Sequence, residues 1–341
     1  MIKSHNYFIR SNNSASNFTV TFSGTDIANG NYSYFEKPTK QIIMAIPFKT
    51  NITKYTTLDA SPNAYLITSR GGGVFWNSTG GYNGQGSYQS NDKLGGGCMN
   101  TTYTGNFTQN FYIRAVVKVL ETPPGTSNSF FVSKWDSTDV KRSVALYVSY
   151  TGVHIFTTSP TGSLITGNSA NYTNTTIGVW RDIVGVYEDT NNSLYINGVL
   201  VSTLDRTNDG VLDSTKPFVV GGSLAADACV NSLNKSIELV EVGNYVPSAT
   251  QIKEWNDALV ANRPSRLMNT EILSGDNWTA TAIGANASLY SRGTTNFTIG
   301  NETGSTTPPI FTQTIASINI FVNQTLGIQL NATDADNATL I

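Results

Sequence analysis

"WRDIVGVYEDTNNSLYINGVLVSTLD", Trp180 to Asp205, is the stretch whose reading decides the fold. Its first half alternates apolar and polar residues, as a half-buried antiparallel strand requires. Asn197 and Gly198 then separate two apolar pairs, Tyr195-Ile196 and Val199-Leu200. Both residues tolerate positive φ, so the pair predicts a type I′ hairpin whose twist matches its strands. The same alternation recurs in "FYIRAVVKVL" (Phe111 to Leu120), "VALYVSY" (Val144 to Tyr150) and "GVHIFTT" (Gly152 to Thr158). Short strands with turn signals at intervals of roughly ten residues imply a sandwich. Only "PSATQIKEWNDALVANRP", Pro247 to Pro264, reads as a helix. Ser248 is its expected N-cap, Ile252, Trp255, Leu259 and Val260 recur at helical spacing, and Pro264 is its expected stop.

Composition narrows the function classes. The chain has 341 residues, enough for two or three domains, yet only 13% are charged and the net charge is -2. That balance offers no electrostatic footprint for nucleic acid or an anionic membrane. Solubility must rest on uncharged polar groups and on glycans. No apolar run reaches the roughly 18 residues of a membrane span, and "MIKSHNYFIRSNNSASNF" lacks a signal-peptide apolar region. Taken alone, those absences point to the cytoplasm. Against them, the acceptor pattern Asn-x-Ser/Thr occurs about eighteen times, Asn171, Asn174 and Asn191 among them, where about eight would arise by chance. The excess points to secretion with N-glycosylation; the alternative is a polar β-protein with threonine-rich strands.

Composition shifts suggest cuts near residues 40, 262 and 305. Residues 1–40 offer a strand, a turn and a strand; 41–262 form the long sandwich; 263–305 have strand-turn-strand character; 306–341 begin a further piece. The middle segment resembles the laminin-G-like, concanavalin A-like jelly roll. In that family a Trp-led strand, an Asn-Gly hairpin, a glycine-introduced strand ("FVVGGSLAADACV"), an edge strand ("SIELVEV") and a short terminal helix follow in this order, and "LDASPNAYLITSRGGGVFWNSTGGYNGQGSYQ" (Leu58 to Gln89) is similar to its Asn/Gly-rich opening. The resemblance implies an all-β antiparallel jelly-roll sandwich with one short helix. The flanks resemble immunoglobulin-like and cadherin-like repeats of modular surface proteins, through "SGTDIANGNYS", "GDNWTATAIGANASLYSRGTTNFTI" and "PPIFTQTIASINIFVNQTLGIQLNATDADNATL". They imply a segment of a longer protein.

Catalytic patterns are not met. Laminarinase-type jelly rolls carry Glu-x-Asp-x-(x)-Glu on one strand. Here "IELVEV" places Glu238 and Glu241 three apart, on opposite faces of a regular strand, and the middle Asp is missing. His5 and His154 are isolated and give no zinc ligand set. The glycine runs "RGGGVFW" and "LGGGCMN" lack the Lys and following helix of a phosphate loop. Calcium has one motif: "ATDADNAT" resembles the Asp-x-Asp of cadherin-like repeats, which implies Asp334 and Asp336 as oxygen ligands, although the acidic linker of that family is missing from "GSTTPPIF". Laminin-G-like jelly rolls also hold calcium at a rim, for which Asp136, Asp139 and Asp189 are the loop candidates, matched by no motif and set against an ordinary role as turn residues. Trp76, Tyr82, Tyr88 and Trp135 lie near expected loops and are candidates for stacking on sugar rings, against the alternative of core packing. Both cysteines, Cys98 and Cys229, fall within the jelly roll, whose early and late strands are neighbours, so a disulfide between them is expected; two buried free thiols are the alternative.

The expected function is therefore a non-catalytic adhesion or glycan-binding module, extracellular or at a cell surface, with glycans or surface proteins as partners and calcium as its one candidate cofactor. Neither nucleic acid nor direct membrane insertion is expected. The rivals are a structural spacer in a stalk or filament, a virion surface or tail protein, and a glycan-active enzyme.

Overall fold

The computed structural model describes residues 6–10, 18–23, 32–48, 266–267, 276–286, 289–298, and 56–262 apart from 85, 91–96, 106, 108–109, 124, 126, 139, 164–167 and 206–209. Asp139, Asp334, Asp336 and the cadherin-like segment 306–341 lie outside the described residues. The chain divides into two compact units, Gln41–Ile252 and Met1–Lys40 with Lys253–Ile341.

The smaller unit draws strands from both ends of the chain. β1 (Asn6–Arg10) pairs with β2 (Phe18–Ser23), which also takes β22 (Arg266–Leu267). β3 (Tyr32–Glu36) pairs with β23 (Asn277–Asn286), which forms a ten-rung hairpin with β24 (Leu289–Thr298). Segments that composition separates, 1–40 and 263–305, thus share sheets.

The larger unit is an antiparallel sandwich, as expected. One sheet has eight strands: β4 (Ile42–Pro47), β7 (Val74–Asn77), β8 (Ser87–Ser90), β10 (Phe111–Val119), β15 (Trp180–Glu188), β16 (Asn191–Ile196), β17 (Val199–Asp205) and β21 (Lys235–Gly243), in the order β17-β16-β15-β10-β21-β8-β7 with β4 also on β21. The other has ten: β5 (Thr56–Leu58), β6 (Leu66–Arg70), β9 (Cys98–Thr101), β11 (Ser129–Asp136), β12 (Lys141–Val148), β13 (Val153–Gly162), β14 (Ser169–Thr173), β18 (Val219–Val220), β19 (Ser223–Ala225) and β20 (Ala228–Val230). Alternate residues of both sheets meet in one core: Ile113, Ala115 and Val117 from β10, Val144, Leu146 and Val148 from β12. Burial of this apolar surface is the main term holding the sandwich together. Gly185 sits mid-strand in β15 because a Cβ there would lie 2.2 Å from the Phe156 ring. The β16–β17 turn has φ 52 at Asn197 and 79 at Gly198, the positive pair that the sequence calls for.

The helix α1 spans Ala249–Val260. Ser248 caps it, its Oγ accepting the Gln251 N–H at 3.1 Å. Two expectations change. Val260 is exposed, and Ala258 joins Ile252 and Trp255 as a buried position. The end is marked by Asn262, whose φ of 49 makes it a left-handed cap before Pro264 is reached.

Candidate cleft beside the β19–β20 hairpin

Besides the main core, the ten-stranded sheet carries small apolar clusters, one around Phe130 and Trp135 and one beneath the β19–β20 hairpin. Cys98, Val219 and Leu224 are buried there, with the half-buried Cys229 packed against them. β19 and β20 form a hairpin over this cluster, and a disulfide joins Cys229 to Cys98 with a Cα–Cα distance of 5.9 Å, inside the range such a bond needs. The expected pairing is therefore present.

The tip of this hairpin is unusual in chemistry. Ala226 and Asp227 have φ values of 47 and 63, the conformation that Asn-Gly supplies at low energy in the β16–β17 turn. An Ala-Asp pair reaches it only when its surroundings impose it. They do so through several side chains. Lys216 bridges Asp227 at 2.8 Å and Asp136 at 3.1 Å. The Ala226 N–H donates to Thr138 Oγ1 at 2.5 Å, and the Ser137 N–H to the Leu224 carbonyl at 3.0 Å. Arg70 donates from Nη1 to the Asp227 carbonyl. Across the tip, Arg142 donates from Nη2 to the Ser137 carbonyl at 3.0 Å and lies over the Trp135 ring.

Between this hairpin, the β6–β7 turn and Gly97 lies a cleft of about 440 Å³, lined by Arg70, Gly71, Gly97 and Ala226 to Cys229. Glycine and alanine dominate the wall, so a ligand there meets main chain, the disulfide, the Arg70 guanidinium and the exposed Asp227 carboxylate.

The residues singled out in the sequence fall in different places. Asp136 is fully buried at the end of β11; burial opposes its charge, but hydrogen bonds from Thr138, Lys216 and Asp227 outweigh that and hold its carboxyl at about 2. The Lys216 ammonium lies against it at 3.1 Å. Asp189 occupies an exposed turn at φ 50. Among the described residues no cluster of three His, Cys, Asp or Glu side chains is placed to hold a metal. Tyr88 is buried, 5.5 Å from the Phe48 ring, and Trp135 is buried against Phe130, so these two pack the protein and present no face to a sugar. Trp76, half-buried, donates to the Phe48 carbonyl at 2.9 Å; Tyr82, also half-buried, meets Trp180 edge-on. The structure does not gather these four into one site.

The reading of Glu238 and Glu241 needs correction. β21 has a bulge: Leu239 faces Val116 but Ile237 faces Val117, so Glu238 is the extra residue inserted in the register with β10. Ile237 and Val240 consequently both enter the core although they are three apart, and the two glutamates share the other side. Both are buried. Glu238 accepts the Tyr82 N–H, and Glu241 accepts the Tyr112 hydroxyl at 2.5 Å, with burial pushing its carboxyl up to about 8. His154 is buried; burial and then the charge of Arg181 push its imidazole down to about 4.

Residues 94–253 match the profile of the Laminin_G_3 family, described as the concanavalin A-like lectin/glucanases superfamily. The larger unit is accordingly a concanavalin A-like jelly roll. Solved structures similar to this chain include the botulinum neurotoxin type G receptor-binding domain (14% identity, 64% of this chain and 51% of that one, TM-score 0.46). Two more are the binding domain of botulinum neurotoxin DC in complex with SialylT (12% identity, 74% and 73%, TM-score 0.48) and in complex with rat synaptotagmin II (11% identity, 74% and 73%, TM-score 0.47). The chain spans about half the length of the type G domain. No curated protein matches it.

Arg70 and the Ala226-Asp227 tip line the cleft and Lys216 braces the tip from behind, and no sequence motif marks any of them. The one available signal was the position of Asp227 two residues before a cysteine expected to pair.

Proposed function

We propose that this chain is a non-catalytic binding module of a secreted or cell-surface protein, which holds a glycan or a partner protein in the cleft beside the β19–β20 hairpin. The observation that carries the reading is the hairpin tip: an Ala-Asp turn held in a left-handed conformation by a disulfide, an ion-pair bridge and Arg70, beside an open cleft, on a sandwich of lectin type. Strain maintained in this way belongs to a shaped site more than to a surface turn. The location is supported by the disulfide and by the acceptor asparagines. Asn171, Asn277 and Asn296 are exposed and Asn77, Asn100, Asn174, Asn191 and Asn234 half-buried, whereas the fully buried Asn168 and Asn192 lack the Ser or Thr of the acceptor pattern. No helix among the described residues is long and apolar enough to cross a membrane.

The test is a glycan array probed with the full chain and with Ala228→Trp, which fills the cleft without touching a charge. Hits that the variant abolishes support the proposal. An array without hits, or hits that the variant leaves intact, overturns it in favour of a spacer or of another surface. Calcium enters only at Asp334 and Asp336, and a melting curve unchanged by chelator removes it. A second reading, a glycan-active enzyme, draws on the bulge that turns Glu238 and Glu241 to one side of β21. It predicts glucan hydrolysis that Glu238→Gln abolishes; the binding reading predicts none.

A further inference from the structure

The disulfide joins the two walls of the cleft, and its two sulfurs differ in access. Cys98 follows Gly97 at the start of β9 and is fully buried. Its surroundings are tight: a Cβ on Gly222 would lie 2.9 Å from the Cys98 Cβ. Cys229, in β20, is half-buried and lines the cleft with Ala226, Asp227 and Ala228. A thiol that enters the cleft therefore meets Cys229 and not Cys98.

Few contacts besides this bond tie the hairpin to the opposite wall. Among the described residues β20 takes β19 as its strand partner, and β19 joins the sheet through one register pair, Leu224 opposite Asp136. Across the cleft, Arg70 donates to the Asp227 carbonyl, and the Gly97 N–H donates to Ser232 Oγ at 2.9 Å. The left-handed Ala226-Asp227 pair lies close to Cys229 in the chain, so a bond that fixes Cys229 also helps to fix the tip. On the buried side, Cys98 Sγ lies 3.7 Å from Asn100 Oδ1. A disulfide sulfur has no proton to give that oxygen. A thiol has one, so the reduced form finds its acceptor already in place.

We propose that Cys98–Cys229 is a redox switch for the cleft, opened in the folded protein by a protein dithiol that attacks Cys229. Exposed disulfides are the labile and regulatory ones, and access decides which sulfur is attacked. The chain has just these two cysteines, so no internal thiol can reshuffle the bond and the reductant comes from outside. Its first thiolate forms a bond to Cys229 Sγ, the Cys98–Cys229 bond breaks, and the electron pair leaves on Cys98, which takes up a proton and donates it toward Asn100. The second thiol of the reductant then attacks its own sulfur in the mixed disulfide and releases Cys229. The balance is two electrons and two protons passed from the dithiol, which becomes a disulfide, to the two cysteines. In the reduced chain the sandwich persists while the β19–β20 wall parts from β9. The switch acts on the cleft whatever its ligand and does not rest on that ligand being a glycan.

The experiment treats the full chain, without denaturant, with dithiothreitol and follows free thiols by alkylation and mass. Reduction is expected at least about tenfold faster than global opening, which the slowest amides of β10 and β12 report by hydrogen exchange. A thioredoxin whose second cysteine is replaced by serine cannot complete the exchange, and it should be trapped on the peptide holding Cys229. Ala228→Trp, at an exposed position in the cleft wall, should slow reduction at least about tenfold while melting within a few degrees of the parent. After reduction, exchange at residues 226–230 should rise at least about tenfold with β10 and β12 still protected, and reoxidation should restore it. Reduction no faster than global opening, trapping on Cys98 or none at all, or a rate unmoved in Ala228→Trp overturns the route through the cleft. Unchanged exchange at 226–230 in the reduced chain overturns the switch.

Discussion

Two hairpins of this sandwich turn through the same left-handed pair of residues by opposite means. In β16–β17 the pair is Asn197-Gly198, whose own conformational preference makes the turn and fixes the register of the strands. In β19–β20 it is Ala226-Asp227, which prefers other conformations and is held by Cys98, Thr138, Lys216 and Arg70, residues distant in sequence. The first turn is a local consequence of composition and has a structural task. The second exists only in the folded protein and shapes a cleft. The difference teaches that one turn is written in its own residues and the other in the contacts the fold brings to it, which is why the second is the one proposed to shape a site.

The largest effect should come from the disulfide. Replacing both cysteines by serine removes a cross-link spanning 131 residues. On the chain-entropy model this should lower stability by roughly 5 kcal/mol, read as a fall in the denaturant midpoint, and free the β19–β20 tip while β16–β17 keeps its hydrogen-exchange protection. Equal protection loss in both hairpins would erase the distinction between them. Next is Gly185→Ala, whose new methyl would press on Phe156; overpacking of this kind costs about 1–3 kcal/mol and, as a core change, should affect both hairpins alike.

Smaller effects bear on the turns directly. Gly198→Ala should destabilise by about 1 kcal/mol, because alanine resists positive φ. At the other tip Ala226→Gly should be neutral or stabilising by up to about 1 kcal/mol, since glycine relieves the imposed conformation and offsets its own entropy. Melting curves of the two variants should move in opposite directions; a shared direction would mean Ala226 is not strained.

Solution pH acts on the sandwich as a whole and on neither hairpin alone. His154 has its folded value lowered to about 4, so the folded state binds fewer protons than the unfolded chain, and stability falls as pH drops from about 6.5 toward 4. Glu241 is raised to about 8, so its contribution is complete below its ordinary value near 4.5 and is lost as pH rises toward 8. Melting temperature should therefore peak in the mildly acidic range, with His154→Gln flattening the acid side and Glu241→Gln the alkaline side. An unchanged acid limb in His154→Gln would remove that account.

Much of the scaffold was legible because it is local. Strand alternation in β10, β12 and β15 reports which face meets the core, and Ser248 and Asn197-Gly198 carry their geometry in their own side chains. The shared side of Glu238 and Glu241 is not legible, because a bulge, which depends on the pairing with β10, shifts the period of β21 by one residue. The cleft was illegible for the same physical reason. Arg70, Lys216 and Ala226-Asp227 are ordinary residues in sequence, and their significance comes from tertiary contacts that hold two residues at positive φ beside a cleft. Trp135 and Tyr88 show the converse: aromatic residues near loops suggest a site, but both are consumed by packing.

The most direct test of the central claim is to map binding onto the two hairpins. With isotope-labelled full chain and a hexasaccharide that binds, amide shifts should concentrate at Gly71, Gly97 and Ala226 to Cys229, with Asn197 and Gly198 unmoved. Shifts centred on Asn197-Gly198, or spread over the sandwich with the β19–β20 tip unaffected, would contradict the claim that the strained hairpin shapes the binding site.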